Sequence, residues 1–190
     1  MSMHASNGKS RTPTPWSARG GPAICSFLVL TLAIVSSMGR LSHAKVVINE
    51  VMASNVSFFS DPQGDFDDWV ELYNAGDAIV NVGGMYLSDD PKDPTMWQIP
   101  LGNAGATTLG PGGYLLIWMD GQTGDYQVVP PPAGARTTGQ PASGFHAGFR
   151  LNAGGGGVYL FGADGVTVID RLVYGEQTTD ISYGRYPDGG

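Results

Sequence analysis

The chain has 190 residues, of which 17 are acidic and 10 basic, and its formal net charge at pH 7 is −7. This balance argues against general nucleic-acid binding, because an acidic surface repels phosphate backbones and gains nothing from counterion release. The whole sequence holds one cysteine, which excludes an internal disulfide framework, Cys-based zinc sites and thiol redox pairs.

The first 44 residues have the features of a secretory signal peptide. They include four basic residues and no acidic residue, and an apolar run of 12 residues extends from Ile24 to Val35. Small residues follow and end at Ala44, after which cleavage is expected. The run is shorter than the roughly 17–25 residues of a membrane-spanning helix. The sequence therefore predicts a cleaved helical signal peptide over residues 1–44, membrane contact through that peptide only, and a secreted or cell-envelope location.

Removal of this leader changes which residues are available for chemistry. All 17 acidic residues but only six basic ones follow position 44, so the mature charge becomes −11. Cys25 leaves with the leader and His146 is the one histidine that remains. Cysteine nucleophiles and histidine-rich zinc sites are thereby excluded from the mature chain. Residues 45–190 are enough for one domain with its own core.

Short β-prone segments separated by turn residues follow along the mature chain. Sustained helical periodicity is absent from the sequence, whereas apolar and polar residues recur in short runs typical of strands. Many short strands with no helix between them indicate an antiparallel β-sandwich or barrel. Strands are predicted at Val46–Met52, Trp69–Asn74, Ala78–Val82, Met85–Ser88, Met96–Ile99, Tyr114–Asp120, Gly144–Leu151, Gly157–Gly162, Val166–Tyr174 and Ile181–Tyr186.

Turn residues between these segments support the same architecture. Gly110-Pro111-Gly112-Gly113 has proline and glycine at the positions that a type II turn requires. Asp164-Gly165 stands between two predicted strands as a hairpin signal. Residues 121–143 break the rhythm with three consecutive prolines and almost no core-forming side chains. They predict a flexible insert loop.

Seven short motifs occur in a fixed order between Val46 and Tyr186. They are Val47-Ile48-Asn49-Glu50-Val51-Met52-Ala53-Ser54-Asn55, Asp68-Trp69-Val70-Glu71-Leu72-Tyr73-Asn74, Gly84-Met85-Tyr86-Leu87-Ser88-Asp89, Leu109-Gly110-Pro111-Gly112-Gly113-Tyr114, Phe149-Arg150-Leu151, Val158-Tyr159-Leu160 with Asp164-Gly165, and Ser182-Tyr183-Gly184-Arg185. In this order and spacing the mature chain resembles the bacterial branch of the lamin-tail domain family. Met85 departs from the family pattern, which usually has tryptophan there.

The resemblance implies an all-β fold, an immunoglobulin-like antiparallel β-sandwich preceded by the signal peptide. Such domains are accessory modules of exported or surface proteins, often attached to a catalytic domain. The family has no catalytic residue set, so the resemblance implies that this chain is not itself an enzyme. It implies a protein or a cell-surface polysaccharide as partner, and a catalytic domain downstream of Gly190 stays an open alternative.

The acidic stretch 61–68 is the strongest candidate for chemistry in the sequence. Asp61, Asp65 and Asp67 can supply oxygens to Ca²⁺, which takes six to eight oxygen ligands. The stretch does not match an EF-hand loop, because its twelfth position is Leu72 instead of glutamate. The alternative interpretation is a solvated loop between the first two strands. Two possibilities therefore stand: no cofactor, or Ca²⁺ at these three aspartates.

Other candidate residues have weaker patterns. Glu50 and Glu71, on the first two predicted strands, are a candidate carboxylate pair for glycoside hydrolysis, although strand glutamates more often face solvent or pair with arginine. His146 is expected at a strand edge and not as a catalytic base, since the sequence has no Gly-x-Ser-x-Gly motif. The tryptophans are expected in the core, with Trp97 nearest the surface, and a sugar-stacking platform is the alternative.

The sequence thus favours an exported, non-catalytic module for binding, surface attachment or presentation of a neighbouring domain. The alternatives are a Ca²⁺-dependent or carbohydrate-recognising domain, or an exported hydrolase that uses acidic residues.

Overall fold

The computed structural model describes residues 43–122 and 144–190, and these residues belong to one compact unit. The predicted signal peptide up to Ser42, and the predicted insert loop from residue 123 onward, lie outside the described residues. None of the helices in the described part of the chain has the length and apolar character needed to span a membrane.

Ten strands and one helical turn make up the described fold. The helix α1 is a single turn, Ala104–Thr107. The strands are β1 (Val46–Met52), β2 (Trp69–Asn74), β3 (Val80–Asn81), β4 (Tyr86–Ser88), β5 (Trp97–Gln98), β6 (Thr108–Leu109), β7 (Tyr114–Trp118), β8 (Gly156–Phe161), β9 (Val168–Tyr174) and β10 (Tyr183–Gly184).

The strands form two antiparallel four-stranded sheets. The first sheet has the order β10-β1-β2-β7 and the second the order β5-β4-β8-β9, while β3 and β6 form a separate pair. Inward-facing side chains of both sheets share one core, which includes Ile48, Leu72, Leu87 and Leu160. Fully burying an aliphatic side chain contributes about 1.5–3 kcal/mol, so this shared core is what holds the sheets together. The predicted all-β sandwich is confirmed.

Alternation along β2 assigns its two faces. Val70 and Leu72 point into the core between the sheets and are fully buried. Trp69 lies on the opposite face of the same sheet, where it packs with Trp118 and with Phe59 from the β1–β2 loop. The first sheet is therefore apolar on both faces at this end, and the β1–β2 loop covers the outer face.

Both predicted turns are present in the structure. The Gly113 amide donates to the Gly110 carbonyl over 2.9 Å, and Gly112 has a φ of +72°. This is the positive φ that a type II turn requires at its third position. The predicted hairpin at Asp164-Gly165 joins β8 to β9, which pair antiparallel.

The strand prediction over Gly144–Leu151 is wrong. Only isolated bridges occur there, one parallel (Trp118 with His146) and one antiparallel (Asp120 with Arg150). Because the two bridges run in opposite senses, the segment turns between them and no continuous ladder forms. The other predicted strands are present, several of them one to three residues shorter at an end.

Candidate functional site

A single asparagine organises the loop between β1 and β2. Asn55 is 6% exposed, and its side-chain amide donates to the carbonyls of Phe59 and Asp67 over 2.8 Å each. Its side-chain oxygen accepts from the Phe58 amide, and its own amide donates to the Asp68 carboxylate. One side chain thus ties the two ends of the loop together, because a buried amide with all its bonds made has a single favourable position.

Asp61 is buried within this loop and one of its carboxylate oxygens is saturated. Its Oδ1 accepts backbone hydrogen bonds from Gln63, Gly64 and Asp65 over 2.7–2.9 Å. Gly64 has a φ of +101°, which only glycine adopts without strain. The second oxygen, Oδ2, lies 3.8 Å from the Nε2 atom of His146. The loop therefore presents one carboxylate oxygen of Asp61 toward the imidazole.

Asp120 holds the His146 ring on the side away from Asp61. Its ring is fully buried, and Nδ1 lies 2.9 Å from Oδ2 of Asp120, whose Oδ1 accepts from the Gln122 amide. The backbone of His146 is bridged to Trp118 of β7. Since a carboxylate only accepts hydrogen bonds, the Nδ1 atom carries the proton. The remaining nitrogen, Nε2, is buried and has no hydrogen-bond partner.

Asp67 completes a group of three potential ligands. One atom each of Asp61, Asp67 and His146 lies within 4.8 Å of the other two. The pKa of Asp67 is raised above its usual value, mainly by burial and then by the negative charges of Asp120, Asp61 and Asp65. Negative charge is therefore concentrated at this point, which lowers the energy of any cation placed there.

The sequence prediction and the structure share two of these residues. The structure groups Asp61 and Asp67 with His146, whereas the Asp65 carboxylate is not part of this three-residue group. Sequence reasoning missed the roles of His146 and Asp120. They are 26 residues apart along the chain, and the one signal that pointed to them was that His146 is the sole histidine after the leader.

The glutamates predicted as a carboxylate pair lie directly opposite each other on β1 and β2. Glu71 accepts a 2.9 Å hydrogen bond from the Asn49 side chain, and Glu50 accepts one from the Ser182 hydroxyl. The pKa of Glu71 is raised to about 7, mainly by burial. The hydrogen bond from Asn49 opposes this rise, and the negative charges of Glu50 and Asp188 add to it. Both carboxylates thus hold neighbouring segments, the β1 strand and the C-terminal residues, against the sheet.

The tryptophans within the sandwich are buried, as the sequence predicted. Trp69, Trp97 and Trp118 are 4%, 8% and 3% exposed, so Trp97 is the nearest of these three to the surface. A sugar ring stacks on an exposed aromatic face. These three side chains do not offer such a face, and their contribution is to the packing of the domain.

Comparisons with known proteins place the chain in a family. No curated protein matches the sequence. A crystal structure of a DUF4876 family protein from Bacteroides thetaiotaomicron is similar with a TM-score of 0.33 and 15% identity, over 62% of this chain and 42% of that one. This chain thus spans less than half the length of that protein. The family model described as the Lamin Tail Domain matches residues 41–176, and the chain belongs to this family.

Proposed function

We propose that the chain is an exported, non-catalytic β-sandwich module that attaches a neighbouring domain to the cell envelope through a protein partner. The observation that carries this proposal is the family match over residues 41–176, which spans the sandwich from before β1 to beyond the end of β9. Lamin tail domains are immunoglobulin-like and non-catalytic. The basic and apolar leader over residues 1–44 supports export.

The outer face of the second sheet supports the choice of a protein partner. Tyr86, Phe161 and Val168 are cross-strand neighbours on β4, β8 and β9, and Tyr159 and Val173 lie beside them. We call these five residues the apolar sheet face. Val168 and Val173 are 54% and 60% exposed, Tyr86 and Tyr159 are partly exposed, and Phe161 is buried beneath them. Exposed apolar side chains that share one sheet face mark candidate interaction surfaces, and a protein partner can cover them with its own apolar side chains.

The acidic residues on the first sheet support a non-catalytic role. Hydrolysis of a glycoside uses two carboxylates on either side of the bond that breaks. Glu50 and Glu71 are opposite each other on paired strands, and each accepts a hydrogen bond from a neighbouring segment, Glu50 from Ser182 and Glu71 from Asn49. Their contacts account for both residues as parts of the scaffold.

Export and attachment are tested by fusing a fluorescent protein to the C-terminus of the full chain. The expected result is a mature N-terminus at Lys45 and a reporter that sediments with the cell envelope. The double variant Val168→Asp/Val173→Asp should release the reporter into the medium. A matched control, Ile79→Asp, changes a side chain that is 71% exposed in the β2–β3 connection and should stay attached.

Each part of the proposal has its own contradicting result. An uncleaved, cytoplasmic fusion would contradict export, and equal release of parent and double variant would contradict attachment through the apolar sheet face. A hydrolase screen of the purified protein tests the non-catalytic role. Turnover that is abolished by Glu50→Ala or Glu71→Ala would contradict it.

A further inference from the structure

The Nε2 atom of His146 is the one imidazole nitrogen in the candidate site that lacks a partner. The ring is fully buried and Nε2 makes no hydrogen bond. Its neighbour Oδ2 of Asp61 is 3.8 Å away, beyond the 2.7–3.2 Å of a hydrogen bond. Leaving a buried polar atom unpaired is unfavourable, so this arrangement calls for a further atom between the imidazole and the carboxylates.

The Asp120 carboxylate determines what kind of atom that is. Because Nδ1 contacts Asp120, Nε2 is the nitrogen that faces Asp61 and Asp67 and is the one available to bind a metal ion there. A metal ion between Nε2 and the two carboxylate oxygens would give all three atoms a partner. A histidine whose second nitrogen donates to a carboxylate is also the usual arrangement around protein-bound metals, since the carboxylate fixes the ring and increases its basicity.

We propose that Asp61, Asp67 and His146 bind a divalent transition-metal ion of the Zn²⁺ class, with Asp120 as the residue that positions the imidazole. Zinc–nitrogen and zinc–oxygen bonds of about 2.0–2.2 Å place two ligands of a tetrahedral ion roughly 3.4 Å apart. The observed 3.8 Å between Nε2 and Oδ2 closes to that value with a shift of a few tenths of an ångström. Three protein ligands leave the fourth position for water.

The donor set favours this class over calcium. Ca²⁺ takes six to eight oxygens, whereas imidazole nitrogen is a ligand of zinc and other first-row metals. Asp61 offers a single oxygen, because its Oδ1 already accepts three backbone hydrogen bonds. The Asp120 carboxylate, in contact with the imidazole, adds further negative charge beside the site. A divalent ion offsets that charge.

Such an ion would join two parts of the chain that are far apart in sequence. Asp61 and Asp67 belong to the β1–β2 loop, and His146 belongs to the segment that pairs with the end of β7. Binding would therefore fasten the loop that covers the outer face of the first sheet. The site lies on the other sheet from the apolar sheet face, so its test is independent of the attachment proposed above.

The test is titration calorimetry of the exported protein, freed of metal by chelator, with Zn²⁺, Mn²⁺ and Ca²⁺ in separate experiments. We expect one Zn²⁺ per chain, bound more tightly than Ca²⁺. His146→Gln and Asp67→Asn should each weaken Zn²⁺ binding more than about 100-fold, and Asp120→Asn by about 10–100-fold. The control Asp65→Asn removes an equal charge outside the ligand group and should change the affinity less than about threefold.

Far-UV circular dichroism confirms that each variant is folded before titration. Asp67 is only partly buried, so Asp67→Asn keeps the test valid if the His146 variant does not fold. Absence of Zn²⁺ binding by the folded parent would overturn the proposal. So would Zn²⁺ affinity that is unchanged in folded Asp67→Asn, or preferential Ca²⁺ binding that Asp65→Asn abolishes.

Discussion

The folded domain should lose stability as the pH rises from about 4.5 to about 7, because Glu71 must ionise at a partly buried position. Replacement of Glu71 by glutamine should abolish this loss. The pKa of this carboxyl is raised from 4.5 to about 7, chiefly by burial. In that pH range the unfolded chain has released the proton while the folded domain still holds it. The free energy of unfolding therefore falls as pH rises through the window and levels off above it.

The size of this effect follows from the shift. At about 1.36 kcal/mol per pKa unit, a rise from 4.5 to about 7 corresponds to roughly 3.4 kcal/mol. Glu71 is only partly buried, so solvent screening reduces the expected effect to about 2 kcal/mol. Glutamine retains the acceptor for the Asn49 amide. Glu71→Gln should thus be about 2 kcal/mol more stable than the parent at pH 8 and about equal to it at pH 4.

Urea unfolding at both pH values measures this difference. The matched control is Glu176→Gln, which removes the same charge at an exposed position and should follow the parent at both pH values. A Glu71→Gln variant that is no more stable than the parent at pH 8 would refute the reasoning. Equal stabilisation at pH 4 and pH 8 would refute it too, since the gain would then not come from ionisation.

Three further substitutions test the scaffold by urea unfolding. Asn55→Ala removes three side-chain hydrogen bonds in the loop and keeps the backbone donor to Asp68, and it should cost about 2–3 kcal/mol. A loss under about 0.5 kcal/mol would contradict the organising role of Asn55. Leu72→Ala, at a fully buried core position, should cost about 2–5 kcal/mol, whereas Ile79→Ala at the surface should change stability by about 0.5 kcal/mol or less. Arg185→Gln breaks the 3.0 Å contacts between Arg185, the residue after β10, and Asp170 of β9. It should cost about 1–3 kcal/mol, and the loss should be smaller at high salt.

The strands were largely predictable because their signals are local. In β2 the residues from Trp69 to Asn74 alternate between two faces, and the prediction and the structure agree on both bounds. The Gly110–Gly113 turn was predictable for the same reason, since proline and glycine restrict the backbone directly. Which face of β2 carries the core was not predictable, because both faces are apolar and the β1–β2 loop covers the outer one.

The segment Gly144–Leu151 shows why alternation alone is insufficient. Phe145, Ala147, Phe149 and Leu151 alternate and are all buried, which is the pattern of a strand. The pattern indicates that one side of the segment is apolar. A β-strand also requires a partner strand that pairs with it in continuous register. Here the chain bends after Ala147, and only the bridges at His146 and Arg150 form.

The candidate site was also only partly predictable from the sequence. Asp61 and Asp67 are close in sequence and share one loop, so composition was enough to select them. His146 reaches that loop only because its segment lies along the end of β7 next to Asp120. This contact depends on the long-range topology of the sheet, and no spacing between the residues encodes it.

The proposed metal ion lies between Asp61, Asp67 and His146. Crystals grown with Zn²⁺ test it directly, by anomalous diffraction recorded on both sides of the zinc absorption edge. One anomalous peak per chain is expected, within bonding distance of Nε2 of His146 and Oδ2 of Asp61. A map with no peak there, or one with a direct hydrogen bond from His146 to Asp61 in its place, would contradict it.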